Sequence, residues 1–352
     1  MLYLKPFLIA LILVALLVPL IGWLARKLGL VGPAGGRHIH KKRIPRLGGL
    51  AIIIVFVLTI FLIPELVIEK PLKGVLIAAL VILLVGIWDD LKELGSVLQF
   101  FWQLVVALII ILAGVRVDYL KNPFGGAIRL DGWQVDWQLF NFHFYLPVLG
   151  SLFIILWLVG MINVMNWLDG IDGLAGGVGV IGAFTLFFLS ISPLVNQPPI
   201  AILAVILAGA TLGFLIWNFH PAKIFMGTSG SMFLGFMLGT LAIFSGGKVA
   251  TALLVMGFPI LDALWVVGQR IKNKVSPFRG DRRHLHHKLL ELGLSQRQVV
   301  LFLYFVSASF GVVALSIQSL GKLIALIILG GLMLTVALII TWLYKRRVPK
   351  KI

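Results

Sequence analysis

Cysteine is missing altogether from these 352 residues, which excludes disulfide cross-links and any thiolate-based metal or redox chemistry. Acidic side chains are scarce as well: 13 Asp and Glu stand against 30 Lys and Arg. Charged residues of both signs make up only 12% of the chain, about half of what a soluble globular domain carries. What fills the chain instead is apolar, with 60% hydrophobic residues and a mean hydropathy of +1.08. That balance makes it an all-α polytopic membrane protein.

Apolar runs long enough to cross about 30 Å of hydrocarbon need roughly 20 residues, with shorter ones tolerated. Eleven are expected, near 3–25, 48–67, 73–88, 97–115, 146–163, 176–192, 198–217, 231–246, 249–268, 299–317 and 322–344. The first is too long for a removed signal peptide and lacks a small-residue cleavage site, so it reads as a retained helix. With the N-terminus outside and the C-terminus cytoplasmic, 22 of the 30 basic residues fall in inner segments, as the positive-inside bias requires. Topology thereby accounts for the net charge of +17, and no nucleic-acid partner is needed. The longest outer loop, 116–145, alternates polar and apolar residues and reads as a small hairpin or interfacial cover. The whole of 1–352 is expected to form a single integral membrane domain.

The chemically capable residues crowd into the inner segments. In Asn163-Val-Met-Asn166-Trp-Leu-Asp169-Gly170-Ile-Asp172-Gly173, two carboxylates and two carboxamides interrupt long apolar stretches. Polar groups are costly in hydrocarbon, so such a run belongs at a surface or a polar cavity. Asp and Asn oxygens suit a hard cation or a nucleotide base, and a single helix cap would need only one of them. Asp89 and Asp90 close the third run, where a helix macrodipole disfavours anions. A divalent cation or cationic ligand would stabilise them, and their repulsion could raise one pKa enough for a base; two solvated charges are the alternative reading.

The basic stretch from His38 to Gly49 includes Lys42 and Arg46 and serves either as a membrane anchor or in phosphate capture. Gly227-Thr228-Ser229-Gly230-Ser231 opens the eighth run, as a phosphate cradle or as ordinary caps. Asp262 is a lone carboxylate in an apolar segment and is expected to face the bundle interior. The last inner loop carries Arg282-Arg283-His284-Leu-His286-His287. Its histidines suit zinc or an anion, and the crowding cations favour the anion. Five such segments on one face are the pattern of one site assembled from several loops.

In order and spacing, HKKRIPRLGG, WDDLKEL, NVMNWLDGIDGLAGG, NFHPAKIFMG and RGDRRHLHHKLLELG resemble the polyprenyl-phosphate N-acetylhexosamine-1-phosphate transferase superfamily. The histidine motif is similar to the branch that initiates teichoic acid, O-antigen (lipopolysaccharide) and enterobacterial common antigen synthesis. The resemblance implies transfer of a sugar 1-phosphate, GlcNAc-1-phosphate for this branch, from a UDP-sugar to undecaprenyl phosphate, with release of UMP. It implies Mg²⁺, with Mn²⁺ as a substitute, a multi-pass location in the bacterial inner (cytoplasmic) membrane, and allows a homodimer. It also implies roles: Asp89 and Asp90 by the lipid phosphate and metal, Asn166 beside the metal, Asp172 on uracil and Asp169 lining the same pocket. His284, His286 and His287, with Arg282 or Arg283, would contact the pyrophosphate and sugar, and Lys42 and Arg46 the lipid phosphate. At one position the chain departs from the family: the loop there ends Phe-Met-Gly-Asp, and the Asp is a direct Mg²⁺ ligand, whereas Thr228 stands here. A hydroxyl is a poor ligand for a hard dication, so impaired turnover is expected. The alternatives are a phospho-MurNAc-pentapeptide translocase and, in another class, a lipid-linked substrate transporter. The latter would place its polar groups near the midplane of repeated halves.

Overall fold

A computed structural model describes residues 1–31, 44–139, 142–245, 249–274 and 284–347. Lys42, Arg282 and Arg283 lie outside the described residues.

A continuous apolar run satisfies its backbone in a bilayer by closing hydrogen bonds within itself, so each run becomes a helix. In chain order these are α1 (Leu4–Lys27), α2 (Gly48–Leu62), α3 (Lys70–Lys92), α4 (Ser96–Leu112), α5 (Val148–Leu168), α6 (Leu174–Ile191) and α7 (Pro198–Asn218). Then follow α8 (Gly227–Phe244), α9 (Val249–Val255), α10 (Gly257–Lys272), α11 (Leu285–Glu291), α12 (Gln296–Ser316) and α13 (Ser319–Arg347). Seven of them, α1, α3, α5, α6, α7, α8 and α12, are long and apolar enough to cross a membrane. The shorter apolar helices α2 and α4 and the Leu320–Val336 part of α13 join them, with α9 and α10 as one bent unit. Together they occupy the eleven runs read from the sequence.

The ninth run departs from the expected single helix, for α9 and α10 meet at 77°. Pro259 lacks the N–H that would bond the carbonyl of Val255, so the ladder is interrupted there. It resumes with Ile260 N donating to Met256 O at 2.9 Å. The segment 116–145 also differs in detail, because it forms two antiparallel hairpins where one was expected. β1 (Tyr119–Lys121) pairs with β2 (Ala127–Arg129), and β3 (Gln134–Leu139) with β4 (Phe142–Pro147).

The helices form one bundle with α8 at its centre. Of the residues in the apolar stretch of α8, 83% are buried, against 28% in α1, which lies at the periphery. α8 packs on α5, α3 and α2, while α7 is held between α1 and α6. Since α3 ends at Lys92 and α4 starts at Ser96, the hairpins between α4 and α5 lie at the end of the bundle opposite the Asp89-Asp90 pair.

Candidate active site

The two aspartates at the end of α3 find their partners at the start of α8. No side chain of its own caps α8, which leaves several backbone N–H groups without intrahelical acceptors. Asp90 fills that role from the neighbouring helix. Its Oδ1 accepts from Thr228 N at 2.8 Å, and its Oδ2 accepts from the Ser229 hydroxyl at 3.0 Å and Ser229 N at 3.4 Å. An anion at a helix N-terminus is favoured by the dipole, so what is unfavourable for α3 is offset by α8. Asp89 is buried, accepts at Oδ1 from Leu94 N and Gln99 Nε2, both at 2.7 Å, and at Oδ2 from the Thr228 hydroxyl at 2.5 Å. Gly227 makes this approach feasible: its φ is +75°, and a Cβ there would collide with both Asp90 and the carbonyl of Arg46.

That carbonyl belongs to a strap running beside the loop before α8. Phe225 N donates to Pro45 O, Gly48 N to Phe225 O and Gly49 N to Met226 O. Arg46 is thereby held over the Asp90 site, with its guanidinium 3.6 Å from exposed Glu93.

The turn between α5 and α6 enters from the other side. Asn166 on the last turn of α5 accepts from the Ser231 hydroxyl at 3.0 Å, which ties it to α8. Burial pushes the Asp169 carboxyl well above the usual carboxylate range; the charges of Asp90 and Asp172 add to the rise, and the Arg46 cation opposes it. Asp172 is buried and its Oδ2 accepts from His220 Nδ1 at 2.8 Å and Ala222 N at 3.0 Å. It therefore ties the Asp169–Gly173 turn to the loop between α7 and α8. Asn218 strengthens the tie, accepting from Gly173 N and donating to Ile224 O. α12, which starts in a Ser295/Gln298 capping box of the expected reciprocal kind, closes the back: Tyr304 OH donates to Gly173 O and Arg297 Nε to His220 O.

The histidines cover this turn. A Cβ on Gly170 would lie 2.6 Å from His286 Nε2 and 3.4 Å from His287 Nε2, so the turn and the motif touch only because residue 170 has no side chain. The three rings pack in a row: His284 stacks on His286 at 5.7 Å between centroids, and His287 lies tilted against His286 at 4.3 Å. His286 is fully buried, and neither ring nitrogen has a partner among the described residues. Burial pushes its imidazole well below the usual histidine range, with His287 and His284 contributing, so it is neutral near pH 7. His284 Nδ1 is 2.7 Å from Asp262 Oδ2.

Asp89, Asp90, Asn166, Asp169, Asp172, Thr228, Arg46 and the three histidines thus gather at one end of the bundle. Gln99, His220 and Tyr304, to which no role was assigned, add to it, while Ser229 and Ser231 come from the stretch read as a cradle or caps and Asp262 is the lone carboxylate expected to face the interior. Their signal in the sequence was weak, because each becomes informative only through a partner far along the chain. The residues present do not fit a resident Mg²⁺. The Thr228 hydroxyl donates and carries no charge, all four oxygens of Asp89 and Asp90 accept protein hydrogen bonds, and the Asn166 oxygen is bonded to Ser231. Among the described residues, three or more His, Asp or Glu are nowhere gathered in a way that could hold a metal ion.

Comparison with known proteins places this geometry among relatives. Residues 72–246 match the model of glycosyl transferase family 4. A Bacillus subtilis (strain 168) protein described as a probable undecaprenyl-phosphate N-acetylglucosaminyl 1-phosphate transferase is 32% identical over 89% of this chain and 84% of its own length. The decaprenyl-phosphate N-acetylglucosaminephosphotransferase of Mycobacterium tuberculosis (strain ATCC 25618 / H37Rv) is 34% identical over 80% of this chain and 74% of its own. An undecaprenyl-phosphate alpha-N-acetylglucosaminyl 1-phosphate transferase from Pasteurella multocida (strain Pm70) is 33% identical over 81% and 78% respectively.

Proposed function

The chain belongs to the polyprenyl-phosphate N-acetylhexosamine-1-phosphate transferases of glycosyl transferase family 4, and from that premise we propose that it transfers GlcNAc-1-phosphate from UDP-GlcNAc to undecaprenyl phosphate. An oxygen of the lipid phosphate attacks the sugar-bearing phosphorus, the bond from that phosphorus to the bridging oxygen breaks, and UMP departs. The reaction takes place at the cytoplasmic face of the bacterial inner membrane and begins the synthesis of an envelope polysaccharide such as a teichoic acid or O-antigen. The observation that carries this reading is the contact of the histidine motif with the Asp169–Gly173 turn, directly beside the Asp90-capped start of α8. Such a junction has room in its chemistry for two anionic phosphates and a nucleobase.

In this reading Asp172 and the turn it braces hold the uracil, and Asp169 lines the same pocket. His284, His286 and His287 meet the diphosphate and sugar, joined by Arg282 or Arg283. The two bare nitrogens of buried His286 support this, because an unsatisfied buried polar group costs about 1–3 kcal/mol unless a ligand or water meets it. Arg46 serves the lipid phosphate near Asp89 and Asp90, and Lys42 shares that role. An apolar cavity of about 320 Å³ among α10, α11 and α13, with Lys288 and Asp262 in its lining, offers an apolar chain a lateral approach. Cationic and N–H donors that face developing phosphoryl charge are the main resource in such transfers.

Mg²⁺ would supply further charge stabilisation when bound, but Thr228 deprives it of a carboxylate. Without a carboxylate at 228 to hold the metal, slow turnover is expected of this chain. The testing experiment uses protein in nanodiscs with undecaprenyl phosphate and a panel of UDP-GlcNAc, UDP-GalNAc and UDP-MurNAc-pentapeptide. UMP release and butanol-extractable label from UDP-GlcNAc are expected; label from the pentapeptide substrate alone would favour the translocase, and none from any donor would sink the transferase.

A further inference from the structure

Asp262 stands in the apolar first part of α10, ahead of the polar Gln269–Lys272 end, and is buried to 6% exposure. Both of its oxygens are engaged by the histidine motif. Oδ2 lies 2.7 Å from His284 Nδ1, and Oδ1 accepts from Leu285 N at 2.8 Å. An ionised carboxylate can only accept, so Nδ1 of His284 carries the hydrogen and Nε2 is turned away from α10. The ring has little freedom to do otherwise. Trp167, from the last turn of α5, lies 6.3 Å from it and His286 stacks on it nearly parallel, at 9°. Trp167 in turn has the buried Arg270 guanidinium 5.9 Å from its ring. Nε2 of His284 makes no hydrogen bond among the described residues.

We propose that Asp262 is a positioning residue for the transfer: it fixes the tautomer and plane of His284 so that Nε2 meets the diphosphate of the sugar nucleotide. The inference rests on the transferase reading above and deepens it. Burial of Asp262 is part of how this works. A carboxylate in a dry setting holds its partner more rigidly than one in water, and its second oxygen pins the start of α11, so ring and backbone are set by the same group. Outer partners that fix the tautomer and orientation of a metal-bound histidine are typically worth about 10–100-fold, and an effect of that order is expected for His284. Asn at 262 would present an N–H₂ or a rotated amide to Nδ1 and favour the other tautomer, with the hydrogen on Nε2.

The test uses the full chain in nanodiscs, as Asp262→Asn, Asp262→Glu, His284→Gln and the Asp262→Asn/His284→Gln double variant. Turnover of UDP-GlcNAc is measured together with UDP and uridine affinity by calorimetry. Asp262→Asn is expected to lower kcat about 10–100-fold with a much smaller change in KM, and to weaken UDP about tenfold while uridine affinity holds. Asp262→Glu should recover part of both losses. In the His284→Gln background the same Asn substitution should cost less than about twofold, because two residues acting as one unit are not additive. Equal costs in the two backgrounds, or parallel losses of UDP and uridine affinity, would overturn the proposal by making Asp262 a general structural element. If the unaltered protein binds UDP but releases no UMP, the proposed reaction fails and the dyad is judged on UDP affinity. If it binds no UDP, the assignment of Nε2 to a diphosphate fails as well.

Discussion

Thr228→Asp is the perturbation for which the geometry gives the clearest expectation. The Thr228 hydroxyl is 2.5 Å from Asp89 Oδ2, and the Thr228 amide is 2.8 Å from Asp90 Oδ1. A carboxylate in place of the hydroxyl loses one hydrogen bond and sets a third anion within about 4 Å of Asp89. At an effective dielectric constant of about 20, two unit charges at that distance repel by about 4 kcal/mol. The variant relieves this by taking up a divalent cation, and in EDTA it should melt several degrees below the native protein. Millimolar Mg²⁺ should recover that loss in the variant and hardly move the native protein. Metal stabilisation of transferring phosphoryl charge is worth several kcal/mol, and each 1.4 kcal/mol is about tenfold in rate, so UMP release in Mg²⁺ should rise about a hundredfold or more. Two measurements suffice, a melting series with and without Mg²⁺ and a UMP-release assay. A native protein that already turns over as fast as its Asp variant, or equal Mg²⁺ shifts in both, would show that position 228 does not control the metal.

Four further outcomes follow from the same structure. Asp172→Ala removes the acceptor for His220 and Ala222 and should weaken UDP binding by about 1.5–3 kcal/mol, the range for a hydrogen bond to a charged group; unchanged UDP affinity would take Asp172 out of the nucleotide site. Gly170→Ala drives a methyl into His286 and should lower both melting temperature and turnover, whereas unchanged kinetics would mean that the histidine motif and the turn separate freely. His286, held neutral below the usual histidine range, contributes stability that is complete above about pH 6.5 and is lost as pH falls below it, because the unfolded chain then takes up the proton first. The melting temperature of the protein should therefore fall more between pH 7.5 and 5 than that of His286→Gln, and parallel curves would contradict this. For orientation, a reporter at the C-terminus should be cytoplasmic and one at Gly125 external, and finding both on one side would refute the inside-positive threading.

Much of the architecture is legible in the sequence alone, because in a bilayer hydrophobic length and secondary structure are one constraint. The eleven runs, the polar interruption at Asn163–Gly173 and the clustering of motifs in alternate segments between the runs needed only sequence order. Pairing was not legible in the same way. That Asp90 caps α8, that the Thr228 hydroxyl answers Asp89, and that Asp172 meets His220 depend on contacts across 138, 139 and 48 positions, and no local pattern encodes such partners. The break at Met256 lay in view at Pro259, but an apolar run of ordinary length masked it. Composition, the apolar runs and the placement of basic residues and motifs between them by themselves determined that this chain is a helical membrane protein with its chemistry gathered at one end. Only the tertiary structure decided which groups satisfy one another there, because a buried charge is stabilised by whatever the fold brings within about 3 Å of it, and that distance is a property of helix packing.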